Sequence, residues 1–320
     1  MSNLETDPQV VDSATPAVAV PEVVEPRLVP LGGPRAVTVR RTLPHRTRSL
    51  IGAWCFIDHY GPVTDVAMDL PGHPHTARQT VSWLFAGELE HRDTIGSHAL
   101  IRPGEMNLMT AGRGIAHSEF TTPNTATLHG VQLWVALPDR DRFTEPRFEH
   151  HAPEPITVGP AELRVFLGSL MGSTSPVRTS TRLLGAQLTM PPGESVRLDV
   201  DPTFEHGVLV DSGSPLVNGT LVRDAHLLYV PPGTPSLTID SGADPLRALV
   251  LGGEPLGERI VMWWNFIARS HDEIVELRSQ WQEQLAGGHA ASGPYGRFPA
   301  QWATVLPAPP LPNARLRPRS

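Results

Sequence analysis

Four side chains in the first half of the chain have the types and the spacing of a metal site. His73 and His75 flank Pro74, and His117 and Glu119 flank Ser118. On a β-strand, residues i and i+2 point to the same face. Each pair therefore presents two ligands together. If the two strands oppose each other, three imidazoles and one carboxylate converge. That set suits a divalent metal such as iron, nickel, manganese, copper or zinc. A single His-x-His is common on surfaces; two such pairs within one β-rich stretch carry more weight. The other histidines read as structural. His91, His98, His129 and His206 stand alone, and His150-His151 is adjacent, so its rings would leave a strand on opposite faces in a solvated loop. Asp58 and His59 read as a loop pair bonding the backbone nearby.

Other chemistries find no support. Gly112-x-Gly114 lacks the third glycine of a dinucleotide loop and the Lys-Ser/Thr of a phosphate loop. No Gly-x-Ser-x-Gly elbow occurs. Cys55 sits among aromatic residues and reads as a small buried hydrophobe rather than a nucleophile.

The elements that position the four ligands read as β-strands. The chain has 320 residues, 34 of them proline and 28 glycine, spread as punctuation between short runs rich in Val, Leu, Thr and Trp. That is the rhythm of an all-β sandwich or barrel. Strands are expected at 35–41, 80–85, from 89, at 101–102, 107–111 and 128–137, then at 163–168, 184–190, 195–200, 207–212 and 227–230. Pro-Gly turns recur in both halves, at 103–104, 192–193 and 232–233, as a weak internal repeat. The expected layout is a disordered tail over 1–30, a metal-binding barrel over 31–150 and a second barrel over 151–288 carrying a helix. A Pro- and Arg-rich tail follows over 289–320, expected to lie over the surface or stay mobile. The helix signal is clear: Ser270 and Glu273 form a capping box, Ile274, Leu277, Trp281 and Leu285 an apolar stripe, and Gly287-Gly288 a stop. It is expected to pack across a barrel. Trp83, Phe85, Leu108, Met109 and Trp134 are candidates for an apolar pocket, with ordinary core as their plainer role.

The net charge of −7 gives no nucleic-acid footprint, and the basic residues are all arginine. A single cysteine cannot close an internal disulfide. No secretory signal and no bilayer-length apolar run is present, so a cytoplasmic setting is expected.

Several stretches together resemble the pirin family. They are Asp58-His59-Tyr60-Gly61-Pro62, His73-Pro74-His75, Leu89 to Asp93, Met109 to Glu119 and Leu128 to Pro138. Gly252-Gly253-Glu254-Pro255-Leu256 and Val261 to Phe266 resemble its C-terminal signature. The likeness runs from about residue 35 to 285. It implies a bicupin: two tandem cupin β-barrels with metal in the N-terminal one, held by His73, His75, His117 and Glu119. The implied metal is iron(II) first, with nickel, manganese, copper or zinc as alternatives. The implied activity is opening of flavonols such as quercetin with dioxygen, with Glu119 as the base that takes the substrate proton. The alternative is a non-enzymatic, iron-dependent redox sensor that binds a protein partner. A small aromatic substrate, no direct nucleic-acid contact, no membrane and a monomer complete the expectation. One departure stands out. Relatives often carry Arg-Gly-Phe-Glu after the His-x-His, where this chain has Thr76-Ala77-Arg78-Gln79. The resemblance carries over the ligands but not the shape or charge of the pocket mouth.

Overall fold

The computed structural model describes residues 20–31, 37–64, 68–288 and 292–320. The chain opens with β1 (Glu22–Val24), β2 (Arg27–Leu31), β3 (Val37–Leu43) and β4 (Trp54–Thr64). Next come β5 (Asp69–His75), β6 (Arg78–Ala86), β7 (Leu89–Asp93) and β8 (His98–Ile101). The first half ends with β9 (Met106–Thr110), β10 (Ile115–Thr121), β11 (Thr127–Ala136) and β12 (Arg147–His151). A seven-stranded sheet runs β12-β9-β6-β11-β4-β3-β2, and a four-stranded sheet runs β5-β10-β7-β8. The Ser82 hydroxyl on β6 reaches Glu119 on β10 at 2.9 Å, so the two sheets face each other around a common interior.

The second half repeats this plan. Its seven-stranded sheet includes Ala161–Leu167, Leu183–Met190, Glu205–Ser212, Leu227–Val230 and Leu246–Gly253, and its four-stranded sheet includes Ser195–Asp199 and Ser236–Asp240. The chain is thus mostly β, two cupin-like barrels and one late helix, α1 (His271–Ala286). Strand parity explains how the barrels join. Val208, Val210 and Val250 enter the core of the second barrel. The residues between them, Leu209, Leu249 and Leu251, face outward and share a core with Val81, Trp83, Val131 and Leu133 of the first barrel. The large sheets pack back to back, so their strands are buried on both faces and lose the polar–apolar alternation of a half-exposed strand.

Three expectations need correction. Within the presumed tail over 1–30, β1 and β2 are ordered strands, while residues 1–19 lie outside the described residues. β1 pairs with Leu227–Val230 of the second barrel and β2 with β3 of the first. Val24 is buried in the shared core, which supplies the driving force that a short Pro-flanked run does not advertise. Asp58 and His59, expected in a loop, lie in the middle of a full strand, β4. It continues to Thr64 and pairs with both β3 and β11.

The third correction concerns the C-terminus. Residues 292–320 are not a loose tail: Tyr295, Phe298 and Trp302 are buried and form one cluster with α1. α1 lies on the hairpin of Val261–Trp263 and Phe266–Ala268 and on this segment. Its start is the predicted one, with Ser270 accepting from the Glu273 N–H at 3.2 Å. The segment then crosses the first barrel, where Leu306 donates to the Gly72 carbonyl at 2.7 Å.

Candidate metal centre

Antiparallel pairing of β5 with β10 sets His117 directly opposite His73. His75 follows two residues after His73 on the same face. The three rings meet with centroids 4.4 to 4.9 Å apart. His75 Nε2 and His117 Nε2 lie 2.9 Å from each other. His73 Nδ1 is 2.7 Å from the Pro71 carbonyl. A carbonyl can only accept, so Nδ1 carries the proton and Nε2 keeps the lone pair that a metal needs. All three rings are buried. Burial pushes His73 down to about 3. Burial, reinforced for His75 by Arg78 and His117 and for His117 by His73 and His91, holds both well below the usual imidazole range. They are neutral at physiological pH, the state in which imidazole ligates.

Glu119 is also buried in this interior. It joins through His117 and His91: ligand atoms of those three residues lie within 4.8 Å of one another, as do those of His73, His75 and His117. Glu119 Oε1 accepts from Ser82. The structure therefore brings all four expected residues into one barrel interior. It adds His91, which had read as a lone structural histidine. His91 Nδ1 is 3.3 Å from His117 Nδ1, and His91 Nε2 is 3.2 Å from Asp93 Oδ2. The missed signal was His91-x-Asp93, the same i, i+2 spacing as the ligand pairs. Of the candidate pocket residues, Trp83 and Leu108 face the other barrel, and the Trp83 indole donates to Gln187 at 2.8 Å. Trp134 meets the centre, edge-on to His75 at 5.7 Å, and Met109 packs with Ile115 and with Phe148, the ring that stacks on His91.

The donor chemistry fits a divalent metal. Three neutral imidazoles and a carboxylate point inward, and one imidazole is locked in the ligating tautomer by a carbonyl. The comparisons with known proteins then decide the family. The Pirin model matches residues 36–135 and the Pirin C-terminal cupin domain model matches residues 185–287. The chain belongs to the pirin family. A provisionally named quercetin 2,3-dioxygenase of Pseudomonas aeruginosa is 40% identical over 295 residues, 90% of each chain. A crystal structure titled quercetin 2,3-dioxygenase, from Acinetobacter baumannii, superposes with a TM-score of 0.84 at 34% identity. It covers 93% of this chain and 98% of its own. A nickel(II) complex of the bacterial pirin YhhW from Escherichia coli shares the fold, with a TM-score of 0.57 at 18% identity over 74% of this chain and all of its own.

Two features then stand out within the pirin frame. The first is the departure at Thr76-Ala77-Arg78-Gln79. Gln79 donates to Thr110 at 3.0 Å on the strand face opposite Ser82, away from the ligands. Thr76 bonds to the backbone of Ile267. Only Arg78 of the four sits on the Ser82 face, so the substitution alters the barrel interior rather than its mouth. The second is the pair Asp58-His59, expected to bond locally. Asp58 instead takes a bidentate, buried ion pair from Arg41 at 2.6 and 2.8 Å. On the other face of β4, His59 reaches across the barrels. His59 and His129 lie 2.7 and 2.6 Å from Asp211 Oδ1, and Arg247 donates to Asp211 Oδ2 at 2.6 Å. Burial raises the Asp211 carboxyl, but hydrogen bonds from both imidazoles outweigh it and hold the group below the usual carboxylate range. These three residues have ligand-like proximity. With Arg247 on the carboxylate and Arg40 3.1 Å from His59, two guanidiniums already face the one carboxylate, and the cluster acts as a clamp between barrels.

Proposed function

We propose that His73, His75, His117 and Glu119 hold one divalent metal, iron(II) or nickel(II), and that the centre is a dioxygenase site for flavonol-type enols such as quercetin. The observation that carries this reading is three buried, neutral imidazoles whose ligand atoms lie within 4.8 Å of one another, with the buried Glu119 carboxylate within the same distance of one of them, His117. Such a set is costly to bury without a metal. The relatives named for quercetin 2,3-dioxygenase support the substrate class. When bound, the metal supplies positive charge and a template for an ionised enol and dioxygen. The chain's own residues do the rest. Glu119 accepts the enol proton, a reasonable role for a carboxylate within hydrogen-bond reach of a hydroxyl. Ser82 orients that carboxylate. His91 and Asp93 hold the His117 ring, and Trp134 walls the site with its edge.

The test is elemental analysis of purified full-length protein paired with oxygen uptake on quercetin, for wild type and His75→Ala. Near-stoichiometric metal and uptake, both lost in His75→Ala, is the expected result. Metal without uptake in the wild type overturns the dioxygenase and favours a redox-sensing binding protein. No metal after reconstitution overturns the site itself.

A further inference from the structure

Arg78 opens β6 on the face that carries Ser82, the hydroxyl that touches Glu119. Its side chain is fully buried. Its guanidinium carbon lies 3.6 Å from the centroid of the Trp134 ring. Phe56 stacks on the same indole at 3.8 Å and 12°. One face cannot hold both contacts, so Arg78 and Phe56 take opposite faces. Arg41 caps the far side of Phe56 at 4.3 Å. The result is a buried column, Arg41–Phe56–Trp134–Arg78, with the Trp134 edge against His75.

The two ends of the column differ. Arg41 is neutralised by the bidentate Asp58. Arg78 has no such partner: no described residue accepts a hydrogen bond from its Nε, Nη1 or Nη2. Burial pushes its guanidinium down to about 9, and the only group that counters this is the Cys55 thiol. Burial raises that thiol to about 12, so it is neutral. Arg78 is therefore a cation with five unused N–H donors, buried beside a cluster built for a second cation. A cation–π contact offsets part of the desolvation. It does not use the planar donor fork. A purely structural role would be better served by an apolar side chain of similar volume. Guanidinium geometry matches planar oxyanions, which it binds through two parallel hydrogen bonds.

We propose that Arg78 binds the anionic oxygen of the substrate: the ligand of this centre is a planar oxyanion, a carboxylate or an ionised enol, held between Arg78 and the metal ligands. This rests on reading the centre as a substrate site and narrows the substrate to molecules that bind as anions.

The experiment is calorimetric titration of the full-length protein, metal-free and nickel-loaded, with two probes. Benzoate offers a carboxylate and no enol; quercetin offers an enol and no carboxylate. The variants are Arg78→Met, which keeps length and loses charge, and Arg78→Lys, which keeps charge and loses the planar fork. Nickel content is checked in each. At least one probe should bind the wild type, with affinity falling tenfold or more in Arg78→Met, about 1.4 kcal/mol. Loss for benzoate identifies a carboxylate ligand. Loss for quercetin alone, with wild-type affinity rising with pH, identifies an enolate. The proposal is overturned if neither probe binds the wild type, or if both bind Arg78→Met within twofold of it. Should Arg78→Met fail to fold, Arg78→Lys decides: a threefold or greater loss supports the proposal, and affinity within twofold overturns it. Absent oxygen uptake by the wild type would sink the dioxygenase reading and leave the benzoate result standing. Intact uptake with Arg78-independent binding would sink this inference alone.

Discussion

At the scale of residues, the four proposed ligands are braced by neighbours on the strand beside them. β7 pairs with β10 so that Asp93 stands opposite His117 and His91 opposite Glu119. Asp93 bonds to His91, and also accepts from the Ile95 and Ser97 N–H groups at 3.1 and 2.8 Å, which fixes it in place. His91 stacks on Phe148 at 4.7 Å, which fixes its plane. Groups that orient ligating histidines typically change metal affinity by 10–100-fold when removed. His91→Phe should therefore weaken nickel affinity by at least about tenfold, with a smaller loss in Asp93→Asn, measured by competition with a chromophoric chelator. Unchanged affinity in both would mean that His117 needs no support. This is also where the sequence ran out. The i, i+2 pairs at 73/75 and 117/119 are legible because strand parity alone puts them on one face. His91 has the same spacing to Asp93, but its role depends on which strand lies beside β10, and register between strands leaves no local mark. Arg78 shows the same limit. Parity places it with Ser82, while the lack of a partner is a fact about every other residue in the interior.

At the scale of elements, the C-terminal segment does what a barrel strand cannot do for itself. Gly72 precedes the first ligand, and its carbonyl accepts from Leu306. A Cβ at Gly72 would come within 2.4 Å of the Trp302 ring, so glycine is needed for the indole to lie against β5. Ala116, next to His117, packs into the same cluster as Trp302 and Trp281. The outer faces of both ligand strands are thus covered by one segment anchored through α1, where Trp281 donates to the Leu306 carbonyl at 2.9 Å. Truncating a buried tryptophan costs about 3–5 kcal/mol. Trp302→Ala should lower unfolding stability by about 3 kcal/mol in urea titration, and should also weaken nickel binding as β5 loses its outer support. A stability loss with unchanged nickel affinity would restrict the segment to a structural role; no stability loss would refute the packing argument. α1 was legible because a capping box, a 3–4 spaced stripe and a double glycine are all local signals. The segment after it was not. It has no periodic strand or helix, and its anchors Tyr295, Phe298 and Trp302 insert singly among prolines.

At the scale of the whole molecule, two copies of one frame hold opposite interiors. The repeat was visible in the Pro-Gly turns, and the division of chemistry follows from what fills each barrel. The second is packed with Val, Leu, Ile and Ala from both of its sheets, with no cluster of ligand residues among those described. Its one buried imidazole, His206, has no hydrogen-bond partner for either nitrogen among the described residues. Burial holds it at about 4. In the first barrel His73 lies near 3 for the same reason. An unfolded histidine titrates near 6.5. Folded values below the unfolded one mean that the unfolded chain takes up protons first as pH falls. The stabilisation is thus complete above about pH 6.5 and is lost on acidification toward the folded values. Each such histidine contributes about 1.4 kcal/mol per pH unit within that window. Metal-free protein should therefore lose stability steeply between about pH 6.5 and about pH 4.5 in urea titrations. His206→Leu separates the two barrels: it should reduce the slope by about one proton and leave nickel binding unchanged, because His206 belongs to the barrel without ligands. A slope identical to wild type would mean that His206 is already charged in the folded protein, and that the second interior is wetter than its packing implies.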